Sequence, residues 1–312
     1  SIQLFEVCLD LISWCNNKNE LQVLDAQKMY NKAHELFHIG DYSSAIKFAF
    51  LSKENSNKKD EIDTYSFICH TFISLGDMEY ARNLLKNIDD QLSQKASEEQ
   101  SAHFYKMRGN LEFNFGDKDK SLDFFTTSLK LMLKSNERYV NEIIYYLSLI
   151  LLEKNKYNDL KKYLDKSIKN HDSYSIILLG VKMLISDSFD KQGMSQFIHL
   201  CTSMKNQYLS CLAYRIMAKI FFKFKDYDKA KNAISKSQKL VLKSSKMISD
   251  QLERDKFLNQ IIIHKDIMEF SDKISDYFLK MTVERINDKD NGGNSSILSI
   301  FCTNCGFKNE KI

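Results

Sequence analysis

The sequence predicts an all-α fold, an α-solenoid of about six stacked helix pairs, and three observations carry that reading. Apolar stretches of helical period are interrupted by turn residues roughly every 37 residues: Gly40, Gly76, Gly116, Asn155, a degenerate unit near Asp190, and Lys225. Small residues flank the markers. Ala33, Cys69, Gly109, Ser148 and Ala218 stand before the clear turns and Ala45, Ala81, Ser121, Leu160 and Ala230 after them, where two antiparallel helices must approach closely. The third observation is composition: 312 residues hold no proline and only nine glycines, which argues against a loop-rich or all-β chain.

In chain order, residues 1–25 read as an N-terminal capping helix, with Ile2, Phe5, Leu9 and Ile12 on one face and Trp14 in the same packing. Residues 26–240 form the repeat array. At each turn, glycine or asparagine supplies the left-handed conformation that closes one helix, and an aspartate favours the positive start of the next. Lys225 departs from this and should weaken its turn. The degenerate stretch 170–206 keeps a helical apolar period and a small residue, Gly180, without a turn string. Residues 241–285 read as one or two closing helices, 286–299 as a linker, and 300–312 as a tail holding FCTNCGF.

Strings such as GDYSSAI, NKYNDL and KDYDKA, with Tyr42, Tyr157 and Tyr227 two residues after the turn, resemble the tetratricopeptide repeat, or TPR, in an extended-repeat form. The resemblance covers residues 26–240. It implies that the aromatic fills the wedge between neighbouring pairs and that the first helix of each pair lines a concave surface. The repeat's usual proline is missing throughout. Chaperone-tail receptors of this family use a lysine and an asparagine one turn apart, as Lys106 and Asn110 stand here, but their companions in the next units are not matched, so no carboxylate clamp is assigned.

Reading the concave positions off the repeat gives the candidate partner-binding residues: Tyr30, His34, His38, His70, Lys106, Asn110, Asn114, Arg215, Lys219 and Lys223. Asparagine offers a peptide backbone both a donor and an acceptor, and Arg215, Lys219 and Lys223 are suited to a carboxylate or to acidic side chains. Phe37, Ile73, Phe113, Leu149 and Phe222 share the face and read first as core. His34, His38 and His70 are also the residues through which a metal or a change of pH near 6.5 would act on the groove.

The two sets of charges nearly balance, 45 Lys and Arg against 41 Asp and Glu, which does not point to a nucleic-acid partner. The apolar run IIYYLSLILL at 143–152 is half a membrane span and fits a buried helix. The opening residues lack a basic start and a cleavage site, and Cys8, Cys15, Cys69, Cys201 and Cys211 sit in helical contexts that suit reduced thiols, so a cytoplasmic protein is expected. Beginning at Ser1 rather than at a methionine, the chain reads as a piece that a further domain could precede.

Cys302 and Cys305 have the C-x-x-C-G form of a zinc knuckle, half of a four-ligand site. The alternatives are zinc shared across a dimer, a truncated ribbon, ligands from His264 or a distant cysteine, or a free pair. No other cofactor is implied. With no phosphate loop, nucleophile elbow or H-E-x-x-H string, the chain reads as a non-catalytic adaptor or sensor that binds another protein or a short peptide. The runner-up is a receptor resembling the peptide-pheromone regulators of Gram-positive bacteria, whose helix-turn-helix would have to precede Ser1. A structural subunit of a larger assembly is the third class.

Overall fold

The computed structural model describes residues 26–55, 58–95, 97–135, 139–167 and 172–290. The expected helix at 1–25 and the Cys302, Cys305 tail lie outside the described residues. The chain divides into two compact units, 1–271 and 272–312. The fold is all-α: the described residues form helices joined by turns and short connections, with no strand.

Six helix pairs follow one another. They are α1 (Ala26–Ile39) with α2 (Tyr42–Asn55), α3 (Lys58–Leu75) with α4 (Met78–Lys95), α5 (Glu98–Phe115) with α6 (Lys118–Ser135), α7 (Val140–Glu153) with α8 (Tyr157–Asp165), α9 (Ser173–Ile185) with α10 (Lys191–Ser203), and α11 (Gln207–Lys223) with α12 (Tyr227–Ser245). Then come α13 (Gln251–Asn259) and α14 (Ile262–Asp290), whose first ten residues belong to the first unit. Residues 272–290 continue α14 in the second unit, so helix occupies the first positions of the expected linker. No helix among the described residues is long and apolar enough to cross a membrane.

Four of the turns share one mechanism. Gly40 and Gly76 at φ +87°, Asn155 at +55° and Lys225 at +63° are all left-handed. At each, two successive N–H groups reach back to the helix that is ending, as Gly40 N to Phe37 O (3.0 Å) and Asp41 N to Leu36 O (2.9 Å), which satisfies carbonyls the helix leaves open. Lys225 adopts this conformation against its Cβ, at a cost of about 1 kcal/mol. Gly116 departs from the expected scheme, with φ −145°. There the Glu112 carboxylate accepts the Asp117 N–H at 3.0 Å and replaces the backbone bond. The aspartates cap the following helices: Asp41 accepts from Ser44 N and Asp77 from Tyr80 N, each at 3.1 Å.

All the small positions on both sides of the turns are buried. A Cβ on Gly109 would stand 2.8 Å from the ring of buried Phe125, and one on Gly180 would stand 2.5 Å from Phe197, so the degenerate unit keeps the close approach although its turn string is lost. Asp190 caps α10 by accepting from Gly193 N at 2.9 Å. A further regularity was not expected from the sequence. Ser52, Ser128 and Ser237, each in the second helix of a pair, donate to the carbonyls of Ala26, Ala102 and Cys211 at 2.8, 2.6 and 2.8 Å. These bonds pin three of the six pairs.

The aromatic after the turn does not have one role. Tyr42 is buried, with its ring 5.2 Å from Phe37 and 5.7 Å from Phe257 of α13. Tyr157 is 46 % exposed, so it fills no wedge; its hydroxyl donates to Asn155 Oδ1 at 3.2 Å. Within the first unit, the early pairs also meet the last ones: α1 packs on α11, and α3 on α13. Gly40 abuts Ser244, Gly76 abuts the backbone of Lys256, and Asn114 Oδ1 accepts from Ile262 N at 3.3 Å. Glycine at the first two turns is therefore required twice, by its positive φ and by the helix lying against it.

Candidate functional site

The first helices of the pairs form a connected inner layer. Phe37 of α1 lies 5.7 Å from Phe67 of α3, Lys106 of α5 bonds Glu142 of α7, Tyr145 of α7 lies 5.8 Å from Tyr174 of α9, and Phe37 returns to Tyr208 of α11 at 6.4 Å. This layer carries an unusual load of polar groups for a helical core.

Its centre is the Lys106–Glu142 ion pair, 2.8 Å long and almost wholly buried. Lys106 Nζ also stands 4.2 Å above the Tyr139 ring, and His103 meets the same ring edge-on at 4.6 Å. Burial pushes the Glu142 carboxyl up, but Lys106, with His70 and His103, outweighs it and holds the group below its ordinary value. His70 lies 5.0 Å from the Phe37 ring, and burial drives its pKa down to about 4, with Glu142 opposing the shift. His70 is therefore neutral at physiological pH. One turn from Lys106, Asn110 is 1 % exposed, and neither its amide nitrogen nor its amide oxygen has a hydrogen-bond partner. The neutral ring nitrogen Nδ1 of His70 is likewise unbonded. Buried amides left in this state are rare, because each unmade bond costs about 1–3 kcal/mol.

A second cluster lies where α11 meets the start of α14. Asp266 accepts from Arg215 Nε and from Lys219 Nζ, the latter at 2.9 Å. Burial works against both charges. The pairing overrides it, so the Arg215 guanidinium is held above its usual pKa and the Asp266 carboxyl below. The same layer holds buried Tyr145 and Tyr146 and half-buried Tyr174 and Tyr208. Tyr146 and Tyr208 share a hydroxyl hydrogen bond of 3.2 Å, and burial pushes the ionisation of Tyr145, Tyr146, Tyr174 and Tyr208 up, out of the physiological range.

The sequence-derived residues are brought to this layer, most of them already engaged. Tyr30 stacks edge-on with His34 at 4.5 Å, and His34 lies 4.1 Å from Phe67. His38 bonds Asn206 at 2.6 Å, and burial lowers its pKa. Asn114 donates to the Asn110 carbonyl at 3.0 Å as well as receiving Ile262 N. Arg215 and Lys219 do hold a carboxylate, but it is the chain's own Asp266. Lys223 donates to the carbonyls of Leu184 and Ser186 at 2.9 and 2.7 Å, closing the end of α9. Among the described residues no three His, Cys, Asp or Glu side chains converge on a metal site. His264, weighed as a zinc ligand, is a core residue: it bonds the Phe257 carbonyl at 2.8 Å, and its pKa is lowered by burial to about 4.

Sequence reasoning missed Glu142 and Asp266, the two anions that organise the site. Glu142 had a signal, as a lone acid at the head of a long apolar helix; Asp266 lay in a mixed charged stretch and had none.

The first unit is thus a TPR-like helical repeat, defined by its paired helices, left-handed turns and small-residue contacts. No known protein family and no curated protein matches the sequence. Among solved structures, the chain is similar to "Crystal Structure of Rap Protein Complexed with Competence and Sporulation Factor", at 16 % identity and a TM-score of 0.61, over 79 % of this chain and 73 % of that one. At that identity the likeness speaks for the fold.

Proposed function

We propose that this chain is a non-catalytic receptor for a peptide or an extended segment of another protein, taken up on the inner layer around Asn110. The observation that carries the reading is the Asn110 amide, buried with a donor and an acceptor both unused, on the same inner layer as the unbonded Nδ1 of His70. A peptide backbone presents that complementary pair at every residue, so an extended segment threaded along α3 and α5 would satisfy both atoms at once. The neutral His70 and the paired Lys106 and Glu142 make this stretch polar without net charge, which suits an amide backbone better than a free ion. The cationic end contributes less than its composition promised, because a ligand carboxylate would have to displace Asp266. A peptide-sensing regulator, rather than a static scaffold, is favoured by the similarity to a Rap protein crystallised with Competence and Sporulation Factor.

Selection of a displayed library of short linear peptides against the protein tests this reading. Enriched sequences should lose about tenfold or more in affinity on Asn110→Leu, since two hydrogen bonds from a buried amide are withdrawn. Enriched peptides that bind Asn110→Leu equally well would remove the inner layer from the account.

A further inference from the structure

The outer face of α12 carries a feature that the inner layer does not use. Residues 229–249 contain six lysines and no aspartate or glutamate, in a chain whose whole formal charge is +4. Lys229, Lys236 and Lys243 recur every seven residues; Lys239 and Lys246 recur at the same interval, three positions on. Seven residues make just under two helical turns, so all five fall on one face, with a rise of about 10.5 Å between repeats. The opposite face, with Ala233, Ile234, Val241 and Ser244, is the buried one, and all five lysines are exposed. Lys229 pairs with Asp226, whereas Lys236, Lys239, Lys243 and Lys246 form no ion pair among the described residues. The second helix α4 differs: its exposed Glu79, Arg82, Lys86 and Asp89 mix both signs.

The stripe ends in exposed apolar side chains. Leu242 and Met247 are 39 % and 40 % exposed, and Ile39 is 52 % exposed. Ile39 adjoins Gly40, where an added Cβ would lie 3.1 Å from Ser244 Cβ, so Ile39 belongs to the same junction as the end of α12. A row of cations about 25 Å long leads into an apolar step; beyond Lys229 its only charge-related contact among the described residues is Lys236 Nζ, 5.3 Å from the centre of the Tyr214 ring.

From this juxtaposition we infer that the outer face of α12 docks an acidic amphipathic helix of a partner protein. Its carboxylates would recur every seven residues along the lysine row, and an apolar residue at one end would cover Leu242, Met247 and Ile39. The repeat distance of the cations equals that of side chains seven apart on a facing helix, which phosphates along a nucleic-acid strand do not share. The stripe also lacks arginine, the side chain best suited to forked phosphate contacts, and an apolar step has no use on a phosphate backbone. An anionic bilayer is a poorer match, because the apolar face that an interfacial helix inserts along its length is here turned into the core.

The test is fluorescence anisotropy on the full chain with four probes: a synthetic helix bearing glutamates at the matching seven-residue interval and a leucine at one end, an isomer with the same glutamates distributed around the helix, a short DNA duplex, and vesicles containing phosphatidylserine. The matched helix should bind best, and more weakly as ionic strength rises. Lys236→Glu/Lys239→Glu/Lys243→Glu should lose it by about tenfold or more while keeping its helical circular dichroism and melting point. A peptide with lysines in place of the glutamates should restore binding to that variant. Equal binding of the two isomers, preference for the duplex or the vesicles, or undiminished binding by the triple variant would each overturn the proposal. The peptide selection on the inner layer is a separate measurement, so either reading can fail alone.

Discussion

Removing one member of the Lys106–Glu142 pair should be far more damaging than removing both. The two side chains are 93 % and 92 % buried by side-chain area, as the complements of 7 % and 8 % exposure, and their atoms lie 2.8 Å apart. Glu142→Gln keeps the shape but leaves an ammonium in the core without a counter-charge, facing a neutral amide and the Tyr139 ring 4.2 Å away. Breaking a buried pair in this way costs about 3–5 kcal/mol, whereas replacing both partners with apolar residues of similar volume is close to neutral. Urea unfolding of Glu142→Leu, Lys106→Met and the Lys106→Met/Glu142→Leu double variant would therefore show a coupling energy of roughly 2 kcal/mol or more. The pH dependence has a definite sign. The folded carboxyl lies below its unfolded value of 4.5, so its contribution is complete above that pH and is lost as pH falls through the folded pKa. Additive losses, or single variants as stable as the parent, would refute the placement of this pair in a closed interior.

Three further outcomes follow from the same geometry. His264 is buried and neutral with a pKa of about 4 against 6.5 unfolded, so stability should fall as pH drops from 6.5 toward 4 and level off below, by roughly 3 kcal/mol for this group. His264→Gln should make that portion of a melting-temperature profile shallower, with His70 supplying a similar slope that remains, and an unchanged profile would contradict the burial. Lys225→Gly should stabilise by up to about 1 kcal/mol, because the left-handed turn no longer works against a Cβ; destabilisation in a thermal melt would mean that the turn is not left-handed. Gly40→Val should lower the melting point and raise hydrogen exchange in α1, α2 and the end of α12 together, since both the positive φ and the Ser244 contact forbid the side chain. Exchange that rises in α1 and α2 while α12 stays protected would deny the contact between the first and last pairs.

Much of this fold could be read from spacing. Ala33, Gly109 and Ala218, with their counterparts Ala45, Ser121 and Ala230, mark helix contacts because close approach admits few residue types, and Gly40 and Gly76 mark turns because few residues tolerate their backbone. The Gly116 turn misled because a side chain, Glu112, took over a backbone bond, and no local pattern announces that. Tyr157 misled because an aromatic after the turn reports a wedge only where something lies across it, as Phe257 lies across Tyr42. The site was legible in its cations and amides, which the repeat register placed on the inner layer. It was not legible in their partners. Glu142 and Asp266 reach Lys106 and Arg215 from 36 and 51 residues away, and pairing over such distances depends on how separate helices pack rather than on the pattern within any one repeat. Register tells which residues face inward; it does not tell what they find there.

Native mass spectrometry of the protein purified gently from its own cells, compared with its Asn110→Leu variant prepared in the same way, tests the central claim most directly. The account predicts a peptide-sized adduct, or a bound partner segment, on the parent chain, with markedly lower occupancy on the variant. A parent chain that carries nothing, or an adduct equally abundant on both, would contradict a receptor site at Asn110.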